Sequence, residues 1–102
     1  MLRANIDFRS LINDVANRFE ADNQISVTAG AREGLIQPAL PHKDHVQQEL
    51  VSGNITFPIL QEAIYTVLIN AMEIATVWSR AAIDEDTIRE SMKRYCPYLF
   101  WC

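Results

Sequence analysis

The chain has 102 residues, 49% apolar and 22% charged, which is the composition of one folded domain and not of a disordered segment. A net charge of −4 and a pI near 5.0 leave no overall positive field to gather phosphates, which argues against nucleic acid as a partner. Residues 1–10 hold Arg3, Asp7 and Arg9 in place of an apolar leader, and the longest apolar stretch carries Glu62, Asn70 and Glu73. Neither a secretory signal nor a membrane span is expected.

The first helix is predicted over residues 6–21. Phe8, Leu11, Ile12, Val15, Ala16 and Phe19 recur at helical spacing, Asn5 or Asp7 can cap the start, and Asp14 and Arg18 stand four apart on the wet face. Asp22-Asn23 then reads as a turn. Residues 24–41 are ambiguous. Ile25 to Thr28 alternate as an extended piece would, and Ser26 or Thr28 could equally cap a helix ending near Gln37. The reading adopted is a short helix on which Gly30 and Gly34 share one side and let another helix approach closely, with no strand pair, because no second alternating run exists. Pro38 and Pro41 are expected to enforce an extended connector.

Residues 42–52 read as a polar outer helix stopped by Gly53, with a thin apolar face of Val46, Leu50 and Val51. The dominant element is a long helix over residues 57–82, capped by Thr56, with Pro58 in its first turn. Glu62, Thr66, Asn70, Glu73, Thr76 and Arg80 make one narrow polar stripe on it, and nearly everything else is apolar. Burying so wide an arc demands the middle of a bundle or the seam of an oligomer. Asp84 caps a last helix over residues 85–96 that places Ile88, Met92 and Tyr95 on one face, with Glu85–Arg89 and Glu90–Arg94 pairs outside, before Pro97. No internal repeat is visible. The fold class is therefore all-α: a single domain, residues 1–102, forming a small bundle of four or five helices around the long one.

Over residues 57–95 this order, a helix of about 25 residues, a tight link and a short acid-capped helix, resembles the second half of a histone fold. The resemblance lies in element lengths and not in motif residues. It implies a long helix crossing its counterpart in a dimer, with association to DNA as the corresponding alternative function.

Candidate chemistry is thin. His42, His45 and Glu49 stand on one helical face with side chains that suit Zn²⁺, but no cysteine adjoins them. Glu62 and Glu73 face the same way about 16 Å apart, too far to share a glycosidase-type task. Their expected role is a pairing with Arg80, Arg32 or a basic group on a partner, or simply a solvated edge. Cys96 and Cys102 are too few and too local for a disulfide framework, so reduced thiols and a cytoplasmic location are expected. No catalytic or phosphate-binding motif occurs and no cofactor is implied.

The expected function is a non-catalytic protein-interaction module, an adaptor, assembly component or inhibitor, that forms a homodimer or higher oligomer. Its contact residues are expected on the long helix (Ile69, Met72, Trp78) and in the aromatic tail (Tyr98, Leu99, Phe100, Trp101). A small-ligand or metal site at His42, His45 and Glu49 is the reading from a different class.

Overall fold

Helices start where the sequence supplies an oxygen for their free amides. Asp7 accepts from the Ser10 amide at 3.1 Å and opens α1, Phe8–Asn23. Thr28 accepts from Ala31 at 3.1 Å and opens α2, Ala29–Ala39. Thr56 accepts from Ile59 and opens α4, Phe57–Val77, while α3, Lys43–Ser52, begins without a side-chain cap. Asp84 and Thr87 exchange side-chain and backbone bonds in a capping box that opens α5, Glu85–Arg94. This computed structural model of the chain describes residues 6–98 and residue 101.

Two dipeptides complete the fold. β1, Ser26–Val27, pairs in parallel with β2, Ala82–Ile83, and the Thr28 amide donates to the Ile83 carbonyl at 3.0 Å. The expectation that Ile25 to Thr28 lacks a strand partner is thus corrected, because a bridge this short needs no alternating run. It needs one apolar residue on each strand, and Val27 and Ile83 supply them to the core. The outer edge of β1 is closed by side chains. Glu20 accepts from the Val27 amide at 2.8 Å, and Arg32 Nε donates to the Val27 carbonyl at 3.1 Å. Arg32 also pairs with Glu20 at 3.1 Å and donates to Asn17 at 2.8 Å.

The bridge reveals a repeat that the residues hide. In both halves a helix ends on a left-handed residue (Gln24, φ 56°; Ser79, φ 57°), a two-residue strand follows, and a capping Thr28 or Asp84 starts the next helix. The long helix accordingly stops at Val77 and not at residue 82, and the turn after α1 falls at Gln24, since Asp22 and Asn23 remain helical. The connector is also corrected. Pro38 lies inside α2 and Pro41 inside a 3₁₀ turn, Leu40–His42, so the chain runs on in bent helical form into α3. Pro38 stands at the tenth position of an eleven-residue helix, where it removes the bond to the Gly34 carbonyl just before the chain bends into the 3₁₀ turn.

Gly30 and Gly34 act as anticipated: a Cβ on Gly34 would sit 3.4 Å from Ile88 Cγ2, and one on Gly30 would sit 3.6 Å from Glu85 Cβ, so α5 packs closely on α2. The core joins α4 (Leu60, Ile64, Val67, Leu68) to Phe8, Ile12 and Phe19 of α1, Leu35 and Ile36 of α2, and Ile88 of α5. Ser91, fully buried, donates to the Val67 carbonyl at 2.7 Å and fastens α5 to α4.

The last piece of cover comes from the tail. Trp101 is 1% exposed, stacks edge-on to Tyr98, and donates its indole N–H to the Leu35 carbonyl at 2.8 Å. Burial also raises the Tyr98 hydroxyl pKa above its ordinary value. Cys96, just upstream, is disulfide-bonded, which corrects the expectation of reduced thiols. The chain's own segments therefore cover the inner arc of α4, while Phe57, Ile59, Val77 and Trp78 stay exposed.

Replacing Trp101 by Ala should lower the unfolding free energy by about 3–5 kcal/mol, and by Phe, which keeps an aromatic ring but loses the bond to the Leu35 carbonyl, by about 1–2 kcal/mol. Urea melts measure both, and a cost below about 1 kcal/mol for Ala would place the indole outside the core. Asp84 should carry pH dependence. The Thr87 amide and then the Arg80 guanidinium hold its carboxyl below the usual range. A depressed folded-state pKa stabilises above the unfolded value, near 3.9, and that contribution is lost as the pH falls through the folded one. Asp84→Ala should cost about 1 kcal/mol at pH 7, the difference from wild type shrinking below pH ~4. An undiminished difference at pH 3 would contradict this.

Candidate functional site

On α4 the buried positions Leu60, Ala63, Ile64, Val67, Leu68, Ala71, Ile74 and Ala75 occupy one arc. The opposite arc carries Glu62, Thr66, Asn70, Glu73 and Thr76, the stripe read from the sequence, and two apolar residues hidden in that reading, Ile59 and Val77. Eighteen residues is five full turns, so Ile59 and Val77 lie in line on the same outward face, about 27 Å apart. Ile59 is 47% and Val77 80% exposed, so each end of the stripe presents bare hydrocarbon. Their helical phase was the available signal: both fall between polar stripe residues, although composition alone counts them as core.

The middle of the face is acidic. Thr66 and Thr76 turn their hydroxyls back to the Glu62 and Met72 carbonyls, leaving Glu62 and Glu73 as its charged groups. Neither expected intrachain cation reaches them. Arg80 pairs with Asp84 and with Asp86, which raises its own pKa, and Arg32 is held by Glu20. Among the described residues Glu62 and Glu73 form no ion pair.

Two arginines flank the face and both are engaged. Arg18 of α1 lies over the Tyr65 ring at 5.0 Å, and Arg94 of α5 pairs with Glu90 at 3.2 Å. Tyr65 donates to Asp22 at 2.8 Å and packs edge-on to Phe19, which sets the border with α1. On the other border, Asn70, Glu73, Ile74, Val77, Arg94 and Tyr95 enclose a groove of about 360 Å³ between α4 and α5.

The contact residues expected from sequence separate into three groups. Trp78, at the C-terminal end of α4, is 39% exposed with the Arg80 guanidinium 5.3 Å from its ring centre. Ile69, Met72 and Tyr98 are half-buried against the core, and Trp101 is enclosed by it. Leu99 and Phe100 lie outside the described residues.

His42, His45 and Glu49 do share a groove, about 500 Å³, with Val46, Ile55, Pro97 and Tyr98. Among the described residues no set of three or more His, Cys, Asp or Glu side chains is placed to hold a metal ion. No helix of the described residues is long and apolar enough to cross a membrane. The chain matches no family model, no curated protein and no solved structure.

Proposed function

We propose that the protein is a non-catalytic helical interaction module whose docking face is the outward side of α4. The observation that carries this reading is the in-line pair of exposed Ile59 and Val77 at the two ends of the helix face that carries Glu62, Thr66, Asn70 and Glu73. A partner helix laid along α4 would take both off water at once, at roughly 25 cal/mol per Å² of apolar area removed. The groove beside Val77, floored by Ile74, supplies a recess for one partner side chain. The partner is another protein. A second copy of the chain loses its first motive, since the inner side of α4 already packs on α1 and α5 within the chain. Nucleic acid is disfavoured by the carboxylates of Glu62 and Glu73 along the same face.

A photo-crosslinking residue placed at position 77 tests this in extracts of the source cells. It should yield a discrete adduct that mass spectrometry resolves into one partner sequence, and Ile59→Glu on the same chain should abolish it. A crosslinker at position 14, on the outer side of α1, serves as the control. Equal adducts from positions 14 and 77, or none from either, would overturn the reading.

A further inference from the structure

The α4 face constrains its partner in charge as well as shape. Its apolar ends, Ile59 and Val77, stand about 27 Å apart, and Glu62 and Glu73 fall one turn inside each end. Among the described residues neither carboxylate forms an ion pair, and the neighbouring Arg18 and Arg94 lie against Tyr65 and Glu90.

A second copy of the chain fits poorly. In an antiparallel pairing of two α4 helices that sets Ile59 over Val77, each Glu62 comes opposite the partner copy's Glu73. In a parallel pairing each glutamate faces its own counterpart. Either direction places carboxylate on carboxylate, which costs stability wherever like charges meet across an interface.

We infer that the occupant of this face is a basic amphipathic helix of another protein, with two apolar anchors five turns apart and a Lys or Arg one turn inside each anchor. The inference rests on the interaction-module reading and adds the partner's chemistry. One anchor covers Ile59, and the other enters the groove at Val77 beside Ile74 and Tyr95. The two cations meet Glu62 and Glu73, which accept the pairs without first breaking an existing one. Charge of this kind sets orientation and partner choice more than raw affinity.

The probe is a pair of synthetic helical peptides of 22 residues, each with leucines eighteen apart and, on the same face, either lysine or glutamate one turn inside each leucine. Fluorescence anisotropy against the full chain at low salt should show the lysine peptide bound at least tenfold more tightly than the glutamate peptide. Glu62→Gln with Glu73→Gln should cut that preference to less than threefold, and Val77→Asp should weaken both peptides. All three positions are exposed, and circular dichroism checks that the variants fold. Equal binding of the two peptides, or a preference that survives the double variant, would overturn the inference. A crosslinked adduct at position 77 of twice the chain mass would also overturn it, by making a second copy the occupant. If position 77 captures one partner but the peptides show no charge preference, the inference fails and the module reading stands. If position 77 captures nothing, both fail.

Discussion

A parallel bridge of two residues on each side fixes how this bundle closes. Because Val27 pairs with Ile83 in that register, the helices that follow, α2 and α5, start side by side and must run together. Their contact then demands small residues, which Gly30 and Gly34 provide against Glu85 and Ile88. The helices that precede the bridge, α1 and α4, are drawn into the same core, with Phe19 edge-on to Tyr65. An exposed strand edge would be a liability. Here the Glu20 carboxylate and the Arg32 guanidinium close that edge, so one ion pair joins α1, β1 and α2.

From that closure follows the division of α4 into an inner and an outer face. The inner face is satisfied within the chain, helped by a tail that brings Trp101 back onto the Leu35 carbonyl. The outer face is left with hydrocarbon at both ends and, between them, the carboxylates of Glu62 and Glu73, which form no ion pair among the described residues. Isolated surface apolar residues are ordinary. Two of them in line at the ends of one long helix, beside a groove and flanked by engaged arginines, form a pattern that a second helix can read.

Much of this was legible in the residues. The side chains of Asp7, Thr28, Thr56 and Asp84 mark helix starts because a short oxygen-bearing side chain has one energetically favoured use there. The apolar spacing of α1 and the glycine face of α2 were equally direct. What escaped was whatever depends on partners distant in sequence. β1 and β2 are too short for periodicity to register, and their pairing joins residues far apart in the chain. Pro38 was read as a breaker, but the last turn of a helix tolerates the loss of one donor. Val77 and Ile59 passed as part of the apolar arc of the long helix because residue type alone conceals phase, and Trp101 became core only once its place against α2 was known. The Cys96 disulfide likewise could not be inferred from a count of two cysteines.

Native-state hydrogen exchange of the Thr28 amide tests the central claim most directly. That amide donates to the Ile83 carbonyl and is bonded only if the two halves are bridged within one chain. The account predicts that it exchanges only through global unfolding, with the same free energy as the Leu68 amide in the middle of α4 and no dependence on protein concentration. Exchange of Thr28 through a local opening several kcal/mol easier than that of Leu68 would contradict it, as would protection that appears only when the chain is concentrated.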